Sequence, residues 1–294
     1  MIDGALLLDK PVGLSSNAAL QQAKRLFNAA KAGHGGTLDP LASGLLVVLF
    51  GEATKFAGPM LDADKEYLAT LKLGQTTTTA DAEGEVLETK PVAVDRRDVE
   101  AALQRFHGAI EQVPPMHSAL KRDGVPLYKL ARKGESVERP ARRVEIHELQ
   151  CLAFEAQRIE IRVRCSKGTY IRTLGEDIGA ALGCGAHLAA LRRTASGRFG
   201  VRDAATPEVL AGLAAPDREK RLLPLSALLY DLPRADVDQA AEARLRQGQA
   251  LKISGLTEGL CGLYGPGGEV IGLGLAGADG SLRPVRLTQA VKQR

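Results

Sequence analysis

The sequence contains few of the residues that mark metal-binding, disulfide-bonded or membrane proteins. Among 294 residues there is no tryptophan, aromatic residues account for only 4%, and the four cysteines are Cys151, Cys165, Cys184 and Cys261. Because they are widely separated and form no C-x-x-C pair, we expect reduced, packed thiols rather than zinc ligands or a redox pair. No segment approaches the roughly 18 uncharged apolar residues that cross a membrane. We therefore expect a cytoplasmic protein with no membrane partner.

Several common functional motifs are also missing. The chain has no G-x-x-x-x-G-K-[ST] phosphate loop, no H-E-x-x-H, no G-x-S-x-G and no EF-hand loop. Their absence removes support for P-loop nucleotide hydrolases, metalloproteases, α/β-hydrolases and calcium-loop proteins. The glycines near position 35 do not form a dinucleotide fingerprint, because the position three beyond Gly35 is Leu38 and the preceding segment is predicted to be helical.

The composition is that of a soluble globular protein whose charge is unevenly distributed. Apolar residues make up 45% of the chain, charged residues make up 25%, and the net charge is +4. Between Arg139 and Arg202 there are twelve lysines and arginines but only six acids. Within this region RIEIRVRC, residues 158–165, alternates apolar residues with mostly arginine, which predicts a half-buried strand. Its open face suits phosphate groups, although an ordinary solvated face is the alternative.

The hydrophobic pattern predicts an α+β fold for the main part of the chain. Short apolar or alternating runs predict strands in ALLLDK, LLVVLFG, KEYLATLKLG and EGEVLET. Helical spacing predicts helices after Ser15 or Ser16, in DRRDVEAALQRFHG, in PLYKLARKG, over about 169–182 and around AHLAALRRT. Because several strands are adjacent, a mixed sheet flanked by helices fits better than a doubly wound sheet.

The sequence changes character near residue 237. After a Pro-containing linker, the helical segment AAEARLRQGQ is followed by short Gly-rich strands in GLCGLYGPGGEVIGLGLAGADGSLRPVRL. This pattern predicts a small β-barrel over 237–294, joined to a main domain over 1–232.

The stretch GHGGTLDP, residues 33–40, places one carboxylate between a glycine-rich turn and a proline, directly before an apolar strand. Pro40 biases Asp39 toward an extended backbone, and Gly35 and Gly36 have no side chains to block a substrate. From these residues alone, Asp39 can be a metal ligand, a general base, a covalent nucleophile or a turn residue.

Five stretches in register resemble the TruB family of tRNA pseudouridine synthases. They are LLLDKPVGLSS, GHGGTLDPLASGLLVVLFGEATKF, KEYLATLKLGQTTTTADAEGE, HSALKRDGVPLYKLARKGE, and CSKGTYIRTLGEDIG with LRRTASGRF downstream. The resemblance is strong through about residue 202 and weaker beyond it. It implies a central mixed, mostly antiparallel sheet flanked by helices, an RNA-contacting insertion near 114–143, and a C-terminal barrel like the PUA RNA-binding module.

The resemblance also implies an isomerase that converts uridine 55 in the T loop of tRNA to pseudouridine. Such an enzyme flips the uridine out, cuts its glycosidic bond, turns the base and rejoins it through carbon, without a cofactor or a metal. Asp39 would be the nucleophile, attacking either the anomeric carbon of the ribose or the uracil ring. Arg172 would be its cationic partner, and Tyr67 would stack on the flipped ring.

Further substrate contacts are implied for other residues that match the family's motifs. Tyr170 and Leu191 would line the pocket of the flipped base, and His34 would fill the space that the base leaves. Asp81 would contact the extruded base, and Lys10 would support the glycine-rich loop. Ordinary structural roles are the alternative for every one of these residue types.

The implied partner is tRNA, contacted at its T arm and elbow by a monomer that needs no guide RNA. The alternative hypothesis from another class is a non-catalytic RNA chaperone, which would use the same cleft to unfold and refold the tRNA elbow. A dyskerin-like enzyme directed by a guide RNA is a third, disfavoured because the chain lacks long basic tails. For the C-terminal barrel, the alternative is a capping domain without a ligand.

Overall fold

The computed structural model describes residues 2–118, 120–131, 133–135 and 137–289. Its strands are β1 (Gly4–Lys10), β2 (Ala32–His34), β3 (Ala42–Phe50), β4 (Lys65–Leu73), β5 (Gln75–Thr77), β6 (Val86–Thr89), β7 (Gly108–Gln112), β8 (Lys121–Arg122), β9 (Val125–Pro126), β10 (Arg142–Glu155), β11 (Arg158–Cys165), β12 (Ala186–Ser196), β13 (Phe199–Gly200), β14 (Arg234–Asp236), β15 (Leu251–Lys252), β16 (Gly259–Tyr264), β17 (Val270–Ala276) and β18 (Ser281–Leu287). Its α-helices are α1 (Ser16–Leu26), α2 (Ala57–Asp62), α3 (Arg96–Gln104), α4 (Leu127–Ala131), α5 (Ile171–Ala181), α6 (Pro207–Gly212), α7 (Ala215–Glu219) and α8 (Gln239–Arg246). Short 3-10 helices cover Gly51–Phe56, Val201–Asp203 and Leu225–Leu229. No helix among the described residues is long and apolar enough to cross a membrane.

A large mixed sheet forms the centre of the molecule. Its strands follow the order β1-β3-β12-β4-β11-β10-β7, with β2 paired to β3 and β13 paired to β12. All neighbours along this order are antiparallel except β12 and β3, which are parallel. The predicted α+β class and the mostly antiparallel central sheet are therefore confirmed.

One face of this sheet carries the main hydrophobic core. Alternate residues of β4 and β11 point to the same side, where they pack against α3 and α5. Tyr67 and Val163 are directly opposite each other in register and both belong to this core. Tyr67 of β4 is thus anchored in the main core, and Leu191 of β12 packs against that core.

The arginines of β11 lie on the other face. Arg162 is in register with Leu68, and Arg164 is in register with Glu66 on β4 and with Glu148 on β10. Because acidic side chains alternate with the guanidinium groups there, this face carries mixed rather than positive charge. Tyr67 lies on the opposite side of the sheet, because it is in register with Val163, which alternates with these arginines along β11.

The segment AHLAALRRT is a strand, β12, and the predicted helix is wrong there. Alanine, leucine and arginine favour helices in isolation, but β12 pairs along its whole length with β4 and also with β3. Pairing with two neighbours in the middle of the sheet outweighs the modest helical preference of these residues.

The predicted helix beginnings at α1 and α3 are confirmed in detail. Ser15 is the N-cap of α1, and its side chain accepts a hydrogen bond from the Ala18 amide. Asp95 caps α3 in a reciprocal capping box with Asp98.

A second, five-stranded sheet forms the C-terminal unit, in the order β14-β16-β17-β18-β15. Its own core includes Leu245, Leu263 and Leu282. The sheet already includes β14, which lies just before the predicted start at residue 237. Residues 290–294 of the predicted barrel, and residues 119, 132 and 136 of the predicted insertion, lie outside the described residues.

Candidate active site

The loop that carries Asp39 connects β2 to β3 and is fixed from both sides. The Gly35 amide donates to the Val47 carbonyl at 2.9 Å, and the Ala42 amide donates to the Asp39 carbonyl at 3.1 Å. Gly36 has a φ of +138°, a backbone conformation that residues other than glycine rarely adopt. The glycine-rich turn therefore brings the aspartate to the mouth of a cleft at the start of β3.

Asp39 forms an ion pair with Arg172. The Asp39 Oδ2 atom lies 3.0 Å from the Arg172 Nη2 atom, and the aspartate side chain is 40% exposed while the arginine side chain is 6% exposed. Arg172 also donates to the carbonyls of Thr79 at 3.2 Å and His117 at 2.6 Å. The guanidinium is thus held by fixed acceptors, whereas the carboxylate that it orients is open to a substrate.

Asp81 is the second carboxylate beside Arg172. Its Oδ2 atom lies 3.6 Å from the Arg172 Nε atom, and its side chain is only 4% exposed. The Oδ1 atom accepts hydrogen bonds from the Thr79 hydroxyl at 2.5 Å and from the Glu83 amide at 3.0 Å. Asp81 is therefore committed to internal partners, and Asp39 is the accessible acid of the pair.

Asp39 and Arg172 stand between two adjacent cavities. The first has a volume of about 560 Å³, and Tyr67, Tyr170 and Leu191 all line it. The second has a volume of about 510 Å³, and His34 and Asp81 line it. The residues singled out in the sequence are brought together around the same carboxylate, but they divide into two groups on its two sides.

The two tyrosines of the first cavity are held in different ways. Tyr67 lies on β4 with 9% of its surface exposed. Burial raises the pKa of the Tyr67 phenol, and the charge and hydrogen bond of Arg193 oppose that rise. Tyr170 precedes α5, where Gln112 accepts a hydrogen bond from its amide at 3.0 Å and donates one to its carbonyl at 3.3 Å. Both phenols remain protonated at neutral pH and so can donate hydrogen bonds.

His34 and Lys10 differ in burial, since His34 is half-buried and Lys10 is fully buried. Burial, with a contribution from Arg193, lowers the pKa of His34, and its Nδ1 atom has no hydrogen-bond partner among the described residues. Lys10 is fully buried and donates to the carbonyls of Pro11 at 2.9 Å and Leu14 at 2.6 Å. A neutral imidazole beside the second cavity can stack, while Lys10 lines neither cavity and fixes backbone behind them.

Two residues of the site were missed in the sequence. The Ser16 hydroxyl accepts a hydrogen bond from the Leu38 amide at 2.7 Å and donates one to the Leu38 carbonyl at 2.8 Å, which connects α1 to the loop that carries Asp39. Arg193 is 2% exposed and lines the first cavity. Alternation along β12 would have indicated that Leu191 and Arg193 share a face, had this segment been recognised as a strand.

The sequence matches three family models that together span residues 24–288. They are described as TruB family pseudouridylate synthase (N terminal domain) over 24–171, tRNA pseudouridylate synthase B C-terminal domain over 172–232, and Pseudouridine synthase II TruB, C-terminal over 233–288. The chain is also 54% identical to tRNA pseudouridine synthase B of Azoarcus sp. (strain BH72), over 98% of this chain and 95% of that protein. The chain belongs to the TruB family of pseudouridylate synthases.

Other members and solved structures agree with this TruB assignment. A tRNA pseudouridine synthase B of Dechloromonas aromatica (strain RCB) is 52% identical over 98% of this chain and 96% of that protein. The TruB fold also matches the crystal structure of a Cbf5-Nop10-Gar1 complex, with a TM-score of 0.75 and 28% identity over 97% of this chain and 84% of that one. A structure of an H/ACA RNP bound to a substrate RNA containing 2'-deoxyuridine has a TM-score of 0.72 and 27% identity, with coverage of 97% and 84%.

Proposed function

We propose that this protein is a tRNA pseudouridine synthase that converts uridine 55 of the T loop to pseudouridine, acting as a cytoplasmic monomer without a guide RNA. The proposal is carried by one observation: an exposed carboxylate, Asp39, is ion-paired with a buried guanidinium, Arg172, at the junction of two cavities. The names of the relatives supply the tRNA substrate, and their higher identity favours them over the Cbf5-Nop10-Gar1 and H/ACA RNP structures.

In this proposal Asp39 is the nucleophile. It forms a transient covalent bond with the flipped uridine. The bond between C1′ and N1 breaks, a bond between C1′ and C5 forms, and the bond to Asp39 breaks again, which regenerates the free carboxylate. The C5 proton leaves and N1 gains a proton, so no atoms or electrons are gained or lost overall. Arg172 places an opposite charge 3.0 Å from the Asp39 carboxylate, so it orients this group and balances its charge in a site that excludes water.

The two cavities have different tasks. The first takes the flipped uracil, with Tyr67 stacking on the ring and Tyr170 and Leu191 completing the walls. The second lies next to the remaining nucleotides of the loop, where neutral His34 stacks in the space that the base has left. Asp81 holds Arg172 and lies within reach of the extruded base, and Lys10 supports the backbone that leads into α1.

The architecture supports a division of the chain into a catalytic unit over 1–232 and a PUA-like RNA-binding unit over 237–294, with β14 joined to the second unit. The insertion near 114–143 lies beside the catalytic ion pair, because the His117 carbonyl accepts a hydrogen bond from Arg172. We propose that this insertion and the C-terminal unit contact the tRNA elbow and T arm.

The experiment that tests the proposal separates catalysis from binding. In Asp39→Asn the side chain keeps its size but loses its charge, so pseudouridine formation is expected to vanish while affinity for tRNA is largely retained. Because the aspartate is 40% exposed, little stability should be lost. Turnover is measured on tRNA transcripts by mapping the modified position, and affinity by filter binding.

The control is Asp217→Asn, which alters an exposed aspartate of α7 outside both cavities. It should retain parental turnover and affinity. Persistent turnover in Asp39→Asn would exclude Asp39 as the nucleophile. If the parent protein remodelled tRNA without modifying it, the chaperone alternative would replace the enzyme.

A further inference from the structure

Arg193 is a buried guanidinium beside Asp39 whose role none of the steps above requires. Its Nε atom donates to the Leu45 carbonyl at 2.7 Å, its Nη1 atom to the Thr37 carbonyl at 3.3 Å, and its Nη2 atom to the Gly36 carbonyl at 3.2 Å. Leu45 lies in β3, whereas Gly36 and Thr37 belong to the loop directly before Asp39. One side chain therefore joins both ends of the segment that presents the nucleophile.

The backbone of Arg193 is fixed by strand pairing on both sides. On β12 it is in register with Gly44 of β3 and with Tyr67 of β4. A Cβ atom at Gly44, where φ is +100°, would stand 2.3 Å from the Arg193 carbonyl oxygen, so only glycine permits this approach. Gly36 lies against the guanidinium, with 3.5 Å from the position of its missing Cβ to the Nη1 atom.

Arg193 also faces Tyr67. The two residues are in register on adjacent strands and line the same cavity, and the positive charge of Arg193 opposes the rise that burial causes in the pKa of the Tyr67 phenol. A guanidinium has five N–H donors in a fixed planar fork, so it can bind several carbonyls and a phenol together. Arg172 faces two carboxylates, but no carboxylate of the described residues lies within 4.0 Å of Arg193.

We propose that Arg193 is a positioning residue that holds the nucleophile loop and the Tyr67 phenol in one geometry, so that Asp39 and Tyr67 face the same flipped ring. This inference rests on the proposed function, because it assigns Arg193 a task in the same reaction. In this proposal the relative position of Asp39 and Tyr67 depends on the Arg193 side chain, whose backbone is in register with Gly44.

Arg193→Met is the direct test, because it keeps the apolar stem and removes the donors and the charge. The single-turnover rate should fall by about 10²-fold, the effect of a misplaced reacting group, while tRNA affinity stays at the parental value. Arg193→Lys retains the charge but not the fork, and its rate should lie between those of Arg193→Met and the parent. If Arg193→Met does not fold, the single-turnover rate of Arg193→Lys tests the proposal instead.

A spectroscopic measurement reads the contact with Tyr67 directly and needs no turnover. The tyrosines are replaced biosynthetically by a fluorinated tyrosine with a more acidic phenol, and the ¹⁹F resonance of residue 67 is assigned with Tyr67→Phe. In Arg193→Met its titration midpoint should rise by about 1–3 pH units, because a neighbouring opposite charge has been removed from the phenolate.

The matched control is Arg192→Met, which removes the neighbouring guanidinium on the opposite face of β12, where it binds Asp9 at 2.7 and 3.0 Å. It should leave the titration of residue 67 and the turnover rate at parental values. Parental titration and parental rate in both Arg193 variants would overturn the inference. An altered titration in a protein whose parent forms no pseudouridine would instead overturn the proposed function alone.

Discussion

Asp39 differs from the other acids near it in how its charge is balanced. Arg172 has four partners: it donates to the carbonyls of Thr79 and His117 and forms ion pairs with Asp81 and Asp39. Both carboxylates line the second cavity, but the Asp39 side chain is 40% exposed whereas the Asp81 side chain is only 4% exposed. Because buried Arg172 is held by several partners, it orients the exposed Asp39 carboxylate before the substrate binds, so little entropy is lost on binding. Nucleophilic catalysis needs a carboxylate oriented in this way.

Lys10 gives a prediction of pH dependence at the scale of one residue. Burial is the main cause that lowers its pKa from 10.5 to about 8, and Arg193 adds to that effect. The folded protein therefore binds this proton less tightly than the unfolded chain does. Relative to Lys10→Met, the free energy of unfolding of the parent should rise between about pH 8 and pH 10.5, by at most about 1.4 kcal/mol per pH unit.

The measurement is urea unfolding of both proteins at a series of pH values from 7 to 11. Below about pH 8 the difference between the parent and Lys10→Met should be constant, because the lysine is then charged in both states. The control is Lys220→Met, which removes an exposed lysine next to α7. Its free energy of unfolding should differ from that of the parent by a constant amount at every pH. A constant difference between the parent and Lys10→Met over the whole range would show that Lys10 titrates normally.

Single residues were predictable where a local motif surrounds them. Asp39 stands out because glycine and proline flank it, and Arg172 follows Tyr170 in a stretch that resembles a known family. Arg193 was not predictable in this way, since it and Arg192 are adjacent and chemically identical. Their opposite roles follow from the alternation of a strand, which places Arg192 on the face of Leu68 and Arg193 on the face of Tyr67.

At the scale of elements, α1 is connected to the nucleophile loop by one hydroxyl group. Ser15 and Ser16 are neighbours in sequence, but Ser15 caps the helix in solvent, whereas Ser16 is buried and makes two hydrogen bonds with Leu38. Substitution of Ser15 therefore tests the stability of the helix, and substitution of Ser16 tests the position of the loop.

Ser16→Ala should lower both stability and activity. It leaves the buried amide and carbonyl of Leu38 without their partner, at a cost of about 1–3 kcal/mol, and releases the residue next to Asp39. Ser15→Ala should cost about 1 kcal/mol through loss of the cap while turnover stays parental. Thermal unfolding and single-turnover rates test the pair, and equal turnover in the two variants would contradict a role for Ser16 in placing the loop.

Elements with a strong local signal were predicted, and the central strand β12 was not. The caps at Ser15 and Asp95 involve residues within one turn of the helix that they begin. The strand identity of β12 depends on β3 and β4, which are more than a hundred residues distant in the chain. Helix propensity in AHLAALRRT is a local quantity and contains no information about those neighbours.

At the scale of the whole molecule, the two sheets share a hydrophobic cluster. Leu273 of β17 packs in the same cluster as Leu45 and Leu49 of β3 and as Leu228 and Leu229 of the connecting segment. The amide of Gln289 also donates to the Glu52 carboxylate, beyond the end of β3, at 2.6 Å. Since β3 directly follows the loop of Asp39, the C-terminal unit supports the strand that positions the nucleophile.

This shared cluster predicts that the two units unfold together. Leu282→Ala creates a cavity in the core of the C-terminal unit, where Leu282 is fully buried, and should cost about 2–5 kcal/mol. If the units are coupled, hydrogen exchange of the β3 amides should accelerate by the same free energy as exchange of the β17 amides. Leu275→Ala is the control, because Leu275 is 48% exposed on β17 and its loss should change stability by less than about 0.5 kcal/mol. Faster exchange confined to β16, β17 and β18 in Leu282→Ala would mean that the catalytic unit is stable independently of the C-terminal sheet.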